Sequence, residues 1–166
     1  MRLSSILSLC VFCCSVLSAA VASVAAEQRS PYHRWAVVAS QELQDGGLPD
    51  LLTAELSRQE DLELVERDQL ELATRELELS ACFGSQAVGK RLQLGQLLKA
   101  DALLLLSLEE HEKQKSLKLV ISDCLYGARL RFEYVPYAPQ QLETATRQCA
   151  ALVQDCLLYT SDAADE

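Results

Sequence analysis

Ala102-Leu-Leu-Leu-Leu-Ser-Leu108 is an unbroken apolar run of strand length. It shows no alternation, so both of its faces must be covered, as in a central strand flanked by helices. Toward the N-terminus, Leu48, Leu51, Leu52 and Leu56 form one helical stripe, and Pro49 suits a first turn, where its missing N–H costs nothing. Leu62-Glu-Leu-Val-Glu66 alternates partly, as a strand near a sheet edge does. Asp68 is then expected to cap a helix, with Glu71 completing a capping box and Leu70, Ala73 and Leu77 facing inward. Ser80–Gly84 reads as a loop, and Ser85 as the cap of a helix carrying Val88, Leu92 and Leu98. Gly89 and Gly95 in that helix mark close packing, since each costs ~1 kcal/mol against alanine. Trp35-Ala-Val-Val-Ala39 is a second buried strand, separated from the first helix by Gln44-Asp-Gly-Gly47.

Beyond Leu108 the pattern changes to period two. Leu117, Leu119 and Ile121 alternate with Lys118, Val120 and Ser122. After Leu125-Tyr-Gly127, Leu130, Phe132 and Tyr134 alternate with Arg129, Arg131 and Glu133. Such strands keep one face on the core and one in water, as antiparallel additions at a sheet margin do. Pro136 and Pro139 end this arm, and Gln140–Asp155 predicts a last helix with Leu142, Ala145, Cys149 and Leu152 inward. The order is β-α-β-α-α-β-β-β-α. It predicts an α/β fold in which flanking helices cover a mixed sheet of about five strands, in two or three layers.

The two ends read differently from the domain. Residues 1–26 have the make-up of a secretory signal: basic Arg2, an apolar body, and small residues at Val24-Ala25-Ala26. Cleavage there is expected; retention as an anchor is the rival reading. No small residue precedes Cys10, Cys13 or Cys14, so no lipobox is present. Residues 27–34 form a polar leader. Cys156-Leu-Leu-Tyr-Thr-Ser-Asp-Ala-Ala-Asp-Glu166 resembles a translated sequencing-library adapter, so the natural domain, 35–155, is expected to continue on its C-terminal side. The protein is expected to be exported, to the periplasm or the outer-membrane surface.

The formal net charge of −9 argues against binding a phosphate backbone or anionic lipid. Catalytic patterns are missing. Glu109-Glu-His-Glu112 carries metal-ligand types, but Lys115 stands where the zinc-protease pattern needs its second histidine, and a solvated hairpin turn explains the cluster. Gly84-Ser-Gln-Ala-Val-Gly89 lacks the Lys-Ser/Thr of a phosphate loop. Asp45, Asp50, Asp68 and Asp101 stand at element ends, where capping and turn formation account for them. No catalytic, cofactor or metal site is expected. Cys82, Cys124 and Cys149 could form at most one disulfide, whose pair the sequence leaves open. Lys118, Arg129, Arg131, Tyr134 and Tyr137, on the outward faces of the late strands, form the leading partner surface, since Arg and Tyr favour interfaces.

Three blocks carry a resemblance: Leu48-Pro-Asp-Leu-Leu-Thr-Ala-Glu-Leu56, Leu64-Val-Glu-Arg-Asp-Gln-Leu70 and Leu94-Gly-Gln-Leu-Leu-Lys-Ala-Asp-Ala-Leu103. In this order they resemble the curli assembly (CsgG-like) superfamily, over about residues 35–155. That superfamily includes the penicillin-binding-protein activator lipoprotein and the amino-terminal domain of the Tol-system propeller protein. The resemblance implies a bacterial envelope domain that works through protein contacts in cell-wall or surface-structure assembly, with no catalytic residues. It departs from the secretion channel in two respects: the lipobox is missing, and the loops Ser80–Gly84 and Glu110–Lys115 are too short for membrane hairpins. Two alternatives stand beside the binding module. One is a hydrolase completed by a missing C-terminal part; the other is a structural N-terminal module of a larger envelope protein.

Overall fold

Alternation, helical stripes and turn residues resolve into twelve segments in the computed structural model, which describes residues 31–76, 79–84 and 86–162. They are β1 (Arg34–Ala39), α1 (Gln41–Asp45), α2 (Leu48–Leu56), β2 (Glu63–Leu64), α3 (Arg67–Glu76), a 3-10 turn (Leu79–Cys82) and α4 (Val88–Leu98). There follow β3 (Ala102–His111), β4 (Gln114–Asp123), β5 (Arg129–Pro136), a second 3-10 turn (Pro139–Gln141) and α5 (Leu142–Asp162). Among the described residues the strands form one sheet in the order β2-β1-β3-β4-β5. β1 is parallel to β2 and β3, and the β3–β4 and β4–β5 pairs are antiparallel. The predicted mixed sheet is therefore present, with the Ala102–Leu108 run in its middle strand.

Both faces of β3 are covered because two helical layers bury alternate residues. On one face Trp35, Val37, Leu104, Leu106, Leu119 and Ile121 pack with Leu48, Leu52 and Leu56 of α2 and Ala145, Cys149 and Val153 of α5. On the other, Ala36, Val38, Leu103, Leu105 and Val120 pack with Ala73 of α3 and Leu94 and Leu98 of α4. The architecture is three-layered. Asp101 ties the start of β3 to β1, its carboxylate accepting from the backbone N–H groups of His33 (3.0 Å) and Arg34 (2.8 Å).

Several local expectations are corrected. Leu51 is 43% exposed, because only the Leu48–Leu52–Leu56 row faces the sheet and Leu51 stands at the rim of the α2–α5 groove. The strand expected over Leu62–Glu66 pairs only at Glu63 and Leu64. Asp68 lies inside the first turn of α3, whose first carbonyl is supplied by Glu66, so it is not the cap. Gly95 does mark close packing against Cys124, whereas a side chain at Gly89 would meet open space. Val88 is exposed, and the α4 core is made by Leu94 and Leu98. β4 is covered on both faces around Val120 and Ser122, because the α4 layer reaches that far. Glu109, Glu110 and His111 belong to β3, and the turn is only Glu112–Lys113.

α5 runs on through Asp162, and Cys156 is buried in the same core as Cys149. The expected signal segment (1–26), residues 27–30 of the leader, Leu77, the Ser85 cap and residues 163–166 lie outside the described residues. No helix among the described residues is long and apolar enough to cross a membrane.

Candidate functional site

Past Leu105 the α3 and α4 layer ends, and among the described residues no helix covers that face of β3, β4 and β5. Alternation brings Ser107, Glu109 and His111 of β3, Lys118 of β4, and Phe132 and Tyr134 of β5 onto it. The expected face of β5 is inverted. The register slips between Ile121 and Ser122, with Leu130 as the extra residue, so Leu130 turns to the α5 side while Phe132 and Tyr134 point away from it. A bulge adds one residue and reverses all subsequent alternation, which strict period-two reading does not anticipate.

The side chains on this face hold one another. Glu109 accepts from Lys118 Nζ at 2.7 Å and from the Tyr134 hydroxyl at 3.1 Å. Burial, with the Glu109 hydrogen bond and charge behind it, raises the Tyr134 phenol above its ordinary pKa. His111 stacks on Tyr134 at 4.0 Å with ring planes 6° apart, and Phe132 meets Tyr134 edge-on at 5.1 Å. Lys118 and Arg129 stand over the Phe132 ring at 5.9 and 5.6 Å, an arrangement favoured by the ring quadrupole. Phe132 is nonetheless 39% exposed. A groove of about 380 Å³ opens beside these rings, lined by His111, Gln114, Ser116 and Tyr134 among others. The result is a fixed row of aromatic rings flanked by two cations on a chain of strongly negative net charge.

Three of the five residues expected on a partner surface, Lys118, Arg129 and Tyr134, meet here. Arg131 lies on the opposite face, 3.5 Å from Glu133, and Tyr137 is half-buried against the α5-side core. Phe132 and His111 belong to the group although the sequence placed them elsewhere. Only the bulge, which leaves no mark on the hydropathy pattern, would have revealed Phe132.

The remaining polar groups are engaged structurally. A cleft of about 220 Å³ at the ends of β1 and β2 is lined by Ala39, Gln44, Pro49, Asp50, Arg67 and Glu71, among others. Arg67 spans it, 3.3 Å from Asp50 and 3.4 Å from Glu71. Asp45 accepts from Gln41 at 3.2 Å. Asp123 holds the next turn by accepting from Leu125 N (2.6 Å) and Tyr126 N (2.8 Å). Arg91, almost wholly buried in α4, donates to the carbonyls of Gly84 (3.1 Å) and Gly127 (3.4 Å) and thereby joins two loops. Burial lowers its pKa, and the nearby Arg129 charge adds to this. Among the described residues no group of three or more His, Cys, Asp or Glu could hold a metal ion. Cys82, Cys124 and Cys149 are free thiols, and the sheet separates Cys149 from the other two.

Comparison with known proteins gives a sequence match and a set of similar folds. The sequence profile of the curli production assembly/transport component CsgG matches residues 17–118. No curated protein matches the chain. The fold is similar to that of TolB from Acinetobacter baumannii, with a TM-score of 0.53 at 12% identity, covering 78% of this chain and 29% of that one. The chain thus spans less than a third of that protein's length. Weaker similarities are to the LpoB C-terminal domain from Salmonella enterica (TM-score 0.44, 16% identity, covering 66% and 85% of the two chains) and to lipoprotein GNA1162 from Neisseria meningitidis (0.43, 15%, covering 74% and 95%).

Proposed function

The chain belongs to the CsgG family of curli production assembly/transport components, and we propose that it is a non-catalytic, exported envelope module that binds protein partners in cell-wall or surface-structure assembly. The observation that carries this reading is the open sheet face. Glu109 holds Lys118 and Tyr134, and His111 and Phe132 pack on the Tyr134 ring, so little of their side-chain freedom is lost when a partner arrives. Arg, Tyr and Phe are the residue types that interfaces favour, and an exposed phenylalanine among them is a natural anchor. The partner's matching surface is apolar with a carboxylate, which answers Arg129.

A non-catalytic role is supported by Asp45, Asp50, Asp101 and Asp123, whose carboxylates are engaged by Gln41, Arg67 or backbone amides. A binding role without a membrane pore is supported by the β3–β4 connection, a two-residue turn at Glu112–Lys113 that adds no membrane-spanning hairpin. The export reading rests on residues 1–26 and is tested by cell fractionation, in which recovery from the cytoplasm alone would count against it.

The test of partner binding is capture from envelope extracts with the wild-type protein and with an Arg129→Glu/Phe132→Ala variant. The wild type should retain a partner, and the variant should retain at least about tenfold less of it. Equal recovery by both, or none above background by either, would sink the proposal.

A further inference from the structure

The second feature that stands apart from the open face is the sheet's outer edge. β5 is an edge strand of eight residues, and no described strand pairs with its far side. Edges of this length are ordinarily guarded, because their unpaired N–H and C=O groups template the addition of another strand. The guards here stand at the two ends, the bulge at Leu130 and the proline at Pro136. Between them, Arg131-Phe-Glu-Tyr-Val135 carries no proline.

We propose that this edge pairs with β5 of a second copy of the chain, antiparallel and centred on Phe132, so that two five-stranded sheets join into one. The register follows from symmetry and charge. A two-fold axis perpendicular to the sheet keeps each face on its own side, so it must pass through a residue position. Centring on Arg131 would set arginine against arginine, and centring on Glu133 would set glutamate against glutamate, both unfavourable across strands. Centring on Phe132 sets Arg131 opposite Glu133 twice, with the two Phe132 rings facing each other at the axis, in a ladder of three pairs that ends at each Leu130 bulge. This segment is self-complementary in charge about one exposed aromatic residue.

A second observation points the same way. The Arg131 and Glu133 side chains stay 32% and 47% exposed. Within its own chain Arg131 Nη2 lies 3.5 Å from Glu133. In the paired register the carboxylate of Glu133 from the second copy lies across from Arg131 and is an acceptor for the exposed part of its guanidinium. Phe132 serves both readings, but the dimer is tested at Arg131 and Glu133, on the face opposite Arg129, so each reading can fail without the other.

The test is the mass of the purified protein by sedimentation equilibrium, with circular dichroism confirming the fold of every variant. Wild type should be a dimer. Arg131→Glu and Glu133→Arg each place like charges opposite each other, and each should weaken dimerisation by at least about tenfold. The double exchange R131E/E133R restores the complementarity and should restore the dimer. Should Arg131→Glu not fold, Glu133→Arg at its half-exposed position and the double exchange carry the same comparison. Hydrogen exchange gives an independent reading, since the outward amides of β5 become protected only in the pair. A wild type that is monomeric at about 1 mM, single variants that stay dimeric, or a folded double variant that stays monomeric would each overturn the proposal.

Discussion

Gly95 is a residue whose absence of a side chain holds two layers together. A Cβ built there would lie 2.5 Å from Cys124 Sγ and 2.6 Å from Cys124 Cβ. Gly95→Ala should therefore cost about 1–3 kcal/mol, the usual penalty for overpacking, measured by urea unfolding. Adding Cys124→Ala should recover only part of the loss, because the Cβ clash remains. The buried thiols give a second residue-level expectation. Burial pushes Cys149 up to about 12, and burial with the charges of Asp123 and Asp101 does the same for Cys124. The folded state keeps these protons where the unfolded chain, with thiols near about 8.5, releases them. Stability should be full below that value and fall as pH rises toward 12, by up to about 1.4 kcal/mol per pH unit for each thiol. Urea midpoints at neutral pH and at about pH 10 would show the loss, and Cys149→Ala should flatten the slope. A midpoint indifferent to pH over this range would contradict the thiol burial.

At the level of elements, the β3–β4 hairpin turns on two residues that both adopt the left-handed conformation, Glu112 at φ 51° and Lys113 at φ 65°. Side chains with a Cβ resist this region, and two-residue hairpin turns of this kind prefer Asn-Gly. The double substitution E112N/K113G should raise stability by about 1 kcal/mol, read as a shift in thermal midpoint. β3 was legible from its leucines alone, since a run with no polar side must be covered on both faces. β4 and β5 were legible as strands but not in their facing. Val120 and Ser122 are covered by the α4 layer, and the Leu130 bulge exchanges the two faces of β5. Neither fact resides in the strand that it affects.

For the whole molecule, the charge distribution makes a further expectation. The chain's net charge is −9, yet its open face presents Arg129, while Lys118 is paired with Glu109. Capture of an acidic partner through this face should weaken as salt rises from 50 mM to 200 mM. Glu109→Gln should lower affinity as well, by freeing Lys118 and Tyr134 from their fixed positions, and by less than removal of Phe132. Titration of immobilised protein with the captured partner measures both. An affinity indifferent to salt would place binding on an uncharged surface.

Hydrophobic spacing by itself determined that there is an α/β domain and that Ala102–Leu108 lies in the middle of its sheet, while the resemblance of three sequence blocks pointed to its family. These are local properties: periodicity, turn residues and short runs, each readable from neighbours in sequence. Tertiary structure decided which side chains share a surface. Lys118, Phe132 and Tyr134 meet because of strand register and one bulge, Leu51 stays exposed because one helical row suffices to face the sheet, and Gly95 matters because Cys124 arrives from a distant turn. Register and layer boundaries arise from contacts between segments far apart in the chain, so no window of sequence contains them.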